Sequence, residues 1–91
     1  MRTVVWSNRA SLELARAIDY LAQRNLHAAQ RIEARILETA EKLARRPIGR
    51  PGHLPDVYEK RVTDTPYLMY YTLDERRIVI LRLFHTAQDR G

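Results

Sequence analysis

The chain has 91 residues, no cysteine and a formal net charge of +5, enough for one modest core and therefore read as a single domain over residues 1–91. Without cysteine there is no disulfide framework, thiolate metal site or cysteine nucleophile, which fits a cytoplasmic protein. No apolar run approaches the ~18 residues of a membrane span, Met1 to Trp6 lack the core and cleavage site of a signal peptide, and no membrane contact is expected.

Arg2 to Trp6 is a β-branched run ending in an aromatic and reads as a strand. Ser7 or Asn8 can accept from the first free amides of a helix. Ala10, Leu14, Ala17, Ile18 and Leu21 then recur at helical spacing, with Arg9, Glu13, Arg16 and Asp19 elsewhere on the surface. Arg24-Asn25 is predicted to close this helix, with Asn25 in the left-handed conformation. A second helix begins near His27 on the stripe Ala28, Ile32, Ile36, Ala40 and Leu43, with Leu37 and Ala44 at its margin. Glu38 with Lys42 and Glu41 with Arg45 are favourable i,i+4 pairs. Lys42, Arg45 and Arg46 oppose the negative end of the helix dipole. Pro47 and Gly49 stop the helix. So short a joint predicts an antiparallel hairpin, with Ala15, Ala22, Ala29 and Ala40 allowing close approach.

Residues 47–56 hold three prolines and two glycines and read as a loop. Beyond it the period changes to alternation. Val57 to Thr63, Tyr67 to Leu73 and Arg77 to Phe84 are predicted strands, joined by turns at Asp64-Thr65-Pro66 and Asp74-Glu75-Arg76 short enough to force antiparallel neighbours. Thr86 to Gly91 read as a loose tail. The expectation is an α+β fold of order β-α-α-β-β-β, a two-helix hairpin on one face of a small four-stranded, mostly antiparallel sheet. Strict alternation along the last strand puts Ile78, Ile80, Arg82 and Phe84 on one side and Val79, Leu81 and Leu83 on the other. Both sides are apolar, so a partner chain is a natural cover for the second face.

The charge is uneven: residues 1–46 carry nine Lys/Arg against five Asp/Glu, residues 47–91 seven against six. The excess is either a set of solvated helix faces with salt-bridge partners or a footprint for an acidic or polyanionic partner. His27, His53 and His85 lack the spacing and companions of metal ligands, so no metal and no cofactor is implied. Ser7 and Ser11 have no base nearby in sequence and read as helix-start residues. What remains is a polar cluster on or beside the sheet: Glu59, Lys60, Arg61, Arg82 and His85. Glu59 and Arg61 share parity and so a face. A carboxylate or histidine there could take a 2′-hydroxyl proton while arginines stabilise the phosphorane; equally, Glu59 and Arg61 could be a solvent-facing pair. His85 could bond to Asp89. Tyr58, Tyr67, Tyr70 and Tyr71 lack a dense basic stripe and read as core and partner contacts rather than base-stacking platforms. Tyr58, Tyr67, Tyr70, Arg82 and Phe84 are the partner-binding candidates.

Trp6-Ser7 followed by an alanine-rich helix ending in Ile18-Asp19-Tyr20-Leu21 resembles the opening of the ParE/RelE toxins. The similarity continues through Pro47-Ile48-Gly49-Arg50-Pro51-Gly52, Tyr58-Glu59-Lys60-Arg61-Val62, Pro66-Tyr67-Leu68-Met69-Tyr70-Tyr71 and Ile78 to His85, essentially the whole chain in order. The resemblance implies a toxin held inactive by an acidic antitoxin encoded beside it, in a hetero-oligomer. RelE-like members cut messenger RNA in the ribosomal A site; ParE-like members act on DNA gyrase and are not nucleases. RelE-like nucleases place an arginine about where this chain has Tyr67, on a strongly basic sheet. Here the sheet half is almost neutral, and only Arg61, Arg82 and His85 find counterparts, Arg82 loosely. Pro66-Tyr67-x-x-Tyr70 is closer to the ParE side. The expectation is a gyrase inhibitor, not an enzyme, with a RelE-like endoribonuclease as the alternative and a non-toxic binding module of this fold as a third.

Overall fold

The computed structural model describes residues 1–47, 50–52 and 55–87. Strand β1 (Thr3–Trp6) leads into Ser7, whose extended backbone and side chain cap helix α1 (Asn8–Arg24); the hydroxyl accepts from the Ala10 amide at 3.0 Å, satisfying a donor the helix cannot. Asn25 departs from expectation. Its φ of −160° is extended rather than left-handed. Its amide donates to the Leu21 carbonyl at 2.8 Å, and its side chain accepts from Ala28 at 3.0 Å. One residue thus ends α1 and caps α2 (Leu26–Arg45), and a single-residue joint leaves the helices antiparallel neighbours. Ala29 and Ala40 are fully buried, Ala44 belongs to the core, and Leu37 is 43% exposed. Ala15, expected at the helix contact, faces solvent.

The meander is β3 (Tyr58–Arg61), β4 (Tyr67–Leu73) and β5 (Arg77–His85). The loop before it contributes more than expected: β2 (Arg50–Pro51) pairs antiparallel with β3, Arg50 opposite Glu59 and Pro51 opposite Tyr58. A proline can hold that place because the strand is at the sheet edge. Gly52 continues the ladder through its amide to the Val57 carbonyl at 2.7 Å, and a Cβ there would stand 3.0 Å from that carbonyl oxygen. Ile48, Gly49, His53 and Leu54 of the predicted loop, and Gln88 to Gly91 of the predicted tail, lie outside the described residues. The tail's first residue is tied down, the Thr86 amide donating to the Pro66 carbonyl at 2.7 Å.

The strand order is β1-β5-β4-β3-β2, with β1 parallel to β5 and every other pair antiparallel. The α+β class and the β-α-α-β-β-β order of the main elements are as expected. The facing of the last strand is not. Tyr70 pairs with Arg82 but Tyr71 with Ile80, so Leu81 is the extra residue of a β-bulge, and the bulge resets the alternation. Ile78, Ile80 and Leu83 therefore share the helix side with Val4 and Trp6 of β1 and with Tyr67, Met69 and Tyr71 of β4. Arg82 and Phe84 move to the outer face, beside Tyr70 and Leu68. The core closes when Ile36, Ala40, Leu43 and Ala44 of α2 and Ala10 of α1 pack onto that helix side.

Both meander turns are held by their own side chains. Thr65, 6% exposed, donates to the Val62 carbonyl at 2.9 Å and accepts from the Tyr67 amide at 3.1 Å, while Asp64 supplies the left-handed residue at φ 61°, a conformation aspartate tolerates better than most. The Asp74 carboxylate accepts from the amides of Arg76 and Arg77, both at 2.8 Å. These bonds favour the ionised form and hold its pKa below the ordinary 3.8. A depressed pKa means that this turn is stabilised in full above the unfolded-state value and loses that contribution as pH falls through the folded one. In an NMR titration Asp74 is expected to have its midpoint below 3.8, with the Arg76 and Arg77 amide shifts moving alongside. A midpoint at or above the ordinary value would show that the turn bonds do not form.

Candidate functional site

The outer face of the sheet carries most of the sequence-predicted site. Register places Glu59 opposite Tyr70 and Arg61 opposite Leu68, so these two share a face as their parity predicts, and Arg82 and Phe84 join them from β5. Glu59 is only 8% exposed, whereas Arg61 is open to solvent. Tyr70 meets Phe84 edge-to-face at 5.1 Å, and the Arg82 guanidinium lies 5.2 Å from the Phe84 ring centre, a cation–π contact. Tyr70, Val79 and Phe84 are half-buried. Of the five partner-binding candidates, Tyr70, Arg82 and Phe84 are thus brought together. Tyr58 and Tyr67 take the helix side, Tyr58 stacked on Tyr71 at 5.7 Å.

His85 belongs elsewhere. It pairs with Tyr67 across β4 and β5, on the helix side at the end of the sheet, and the rings meet edge-to-face at 5.3 Å. Its Nδ1 accepts from the Ala87 amide at 3.0 Å, so a proton on this neutral ring would sit on Nε2. Asp89, its predicted partner, is outside the described residues. Around this pair runs a cleft of about 710 Å³ between α1 and the sheet end, lined by Glu13, Arg16, Tyr20, Tyr67, Arg82 and His85 among others. Tyr67 is 6% exposed. Burial, and then the neighbouring Tyr20, push its hydroxyl pKa up, because both disfavour a phenolate. Arg24 sits 4.5 Å above the Tyr20 ring at the rim.

The strongest polar contact of the site is one that reading the chain missed. β1 ends at Trp6, paired with Ile80, so the last five residues of β5 have no strand on that side. Helix α1 takes its place. The Ser7 hydroxyl donates to the Leu81 carbonyl at 3.0 Å. The Glu13 carboxylate accepts from the Leu83 amide at 2.9 Å and from Arg82 Nε and Nη2 at 3.0 and 2.9 Å. Side chains thereby satisfy a sheet edge that would otherwise be open, and Arg82, reaching round that edge, is committed to Glu13. The available signal was Arg82 itself: an arginine inside the apolar run Ile78 to Phe84 calls for a carboxylate partner.

Among the described residues no group of three His, Cys, Asp or Glu could hold a metal ion, and no helix is long and apolar enough to cross a membrane.

Known proteins share this fold. Toxin RelE2 of Caulobacter vibrioides is 33% identical over 89 residues, which cover 97% of this chain and 99% of that protein. The chromosomal ParDE system of P. aeruginosa has the same fold, with a TM-score of 0.84 at 21% identity over 93% of this chain and 96% of that one. The E. coli DinJ–YafQ toxin–antitoxin complex follows at 0.62 and 16%, over 99% and 98%. The profile of the ParE toxin of the type II toxin–antitoxin system parDE matches residues 4–90, nearly the full set of elements described above, and the chain belongs to that family of toxins.

Proposed function

We propose that this toxin is a ParE-like inhibitor of DNA gyrase, neutralised by an acidic antitoxin in a hetero-oligomer, and that it does not cut RNA. The observation that carries the mechanism is the commitment of Arg82 to Glu13. A ribosome-dependent nuclease needs a proton acceptor and free cations converging on one phosphate. In this chain the Arg82 charge is already neutralised, and His85 lies on the side of the sheet opposite Glu59 and Arg61. A buried, protonated tyrosine, Tyr67, stands where the nuclease relatives place an arginine. The outer face, with half-buried Tyr70, Val79 and Phe84 and exposed Arg61, suits the apolar stripe of an amphipathic helix with acidic flanks, and the net charge of +5 favours encounter with such a partner.

In a supercoiling assay the purified toxin is expected to block gyrase or trap cleaved DNA, and the product of the neighbouring antitoxin frame to relieve the block. In a translation extract messenger RNA should stay intact. A second reading, the RelE-like endoribonuclease, is favoured by the common face of Glu59, Arg61 and Arg82. Cutting of ribosome-bound message that disappears in Arg61→Ala or His85→Ala would replace the gyrase reading with this one.

A further inference from the structure

The Tyr67 cleft lies at one end of the strands, and the other end is built differently. There β1 begins, α2 ends and β4 turns into β5, and backbone bonds lock the three together. The Arg2 amide donates to the Ala44 carbonyl at 3.3 Å, the Thr3 amide to the Arg76 carbonyl at 2.9 Å and the Asp74 amide to the Arg77 carbonyl at 2.9 Å. Arg2 Nε also donates to the Asp74 carbonyl at 2.6 Å. Arginines occupy the flanking positions of all three elements: Arg2, Arg45, Arg46, Arg76 and Arg77, the last four exposed. Arg76 and Arg77 border an open depression of about 600 Å³ together with Thr3, Asp74 and Glu75. The acidic groups at this end are Asp74 and Glu75; the Asp74 carboxylate accepts from the Arg76 and Arg77 amides and lies 4.0 Å from the exposed Arg77 guanidinium. One turn back along α2, Glu41 stands in i,i+4 register with Arg45, beside Lys42.

We infer that this arginine end is a surface for the phosphate backbone of duplex DNA. The guanidinium fork pairs bidentately with phosphate oxygens and, being weakly hydrated, leaves water more readily than an ammonium. Duplex DNA presents a charge about every 1.7 Å of its axis, so cations drawn from three elements to one end can meet several phosphates at once. A protein partner is expected to want an apolar anchor at the centre of its interface. Among the described residues the exposed large apolar side chains are Leu12, Tyr20, Leu26 and Leu37, with Met1 at the chain start the one at this end of the strands, and Leu26 begins α2 at its opposite end. The inference does not rest on the gyrase reading, since it concerns binding by the toxin alone.

The test is fluorescence anisotropy of the purified chain with a labelled duplex of arbitrary sequence over a range of salt. With about four phosphates engaged, the log–log salt slope is expected to be about −3.6, roughly a 150-fold loss of affinity for a fourfold rise in salt. Arg46→Ala/Arg76→Ala/Arg77→Ala should flatten the slope by about 3, and the single Arg76→Glu, at an exposed turn, should weaken binding at low salt while leaving the circular dichroism of the fold unchanged. The charge-matched control Arg9→Ala/Arg24→Ala/Arg31→Ala should keep most of the slope. Equal losses in control and triple variant would overturn the inference, since binding would then follow net charge alone. So would undetectable binding at low salt, or capture of poly-L-glutamate through these arginines in preference to DNA, which would reassign the surface to an acidic protein.

Discussion

Ile80→Ala is expected to unfold about 15 °C below the parent chain, a loss of about 3 kcal/mol. Ile80 is fully buried and sits where three parts of the fold meet: it pairs with Trp6 of β1 and Tyr71 of β4, and its carbonyl accepts from the Ser7 amide that begins α1. Strands on both sides fix its backbone, so the space left by truncation cannot be closed by a backbone shift, and the cavity adds to the lost transfer energy. Val79 is the control. It lies one residue earlier on the outer, half-buried face, and Val79→Ala should cost about 1 kcal/mol or less. Chemical denaturation of both variants checks the pair. Equal losses would mean that the facing of β5 is wrong.

Glu13→Ala is expected to cost about 2 kcal/mol and lower the melting temperature by about 10 °C. The substitution strips the Leu83 amide of its acceptor and leaves Arg82 without a counter-charge. The pair is partly wet, at 34% and 21% side-chain exposure, so the loss falls below the ~3–5 kcal/mol of breaking a fully buried pair. Arg9, 3.9 Å from the same carboxylate and 67% exposed, adds little. Glu13→Gln should recover part of the loss, because an amide oxygen can still accept from Leu83. Combined with Arg82→Ala, the double variant should be more stable than the two single losses predict, by about 1 kcal/mol. Simple additivity would show that the two side chains do not act together.

These residues also mark how far reading the chain can go. The stripes of Ala10 to Leu21 and Ala28 to Leu43, the switch to alternation after Asp56 and the two tight turns were enough for the element order, because each is a local pattern set by burial of one face. The bulge at Leu81 has no local mark. Both parities of β5 are apolar, so strict alternation was the natural reading, and only the pairing of Tyr70 and Tyr71 reveals the extra residue. Asn25 carries two equally good local roles, and the length of the joint decides between them. The Glu13–Arg82 pair joins residues 69 positions apart, beyond any periodic signal. Of the site, the common face of Glu59 and Arg61 followed from parity alone. The separation of His85 from them required the three-dimensional register.

The strand order has a consequence in time. β5, which holds β1 on one side and β4 on the other, leaves the ribosome after the other described strands, while β1, its parallel neighbour, leaves before them. At ~5–20 residues per second of synthesis, the helical hairpin and the first strand wait several seconds for the segment that joins them to the meander. Local hairpins can form meanwhile, but the contact between Thr3 and Arg77 closes nearly the whole chain and must come late. Until it does, there is neither an outer face nor an arginine end. Without β5, β1 has no neighbour and the sheet is reduced to the antiparallel run of β4, β3 and β2, so the helical hairpin gains its floor only with that strand.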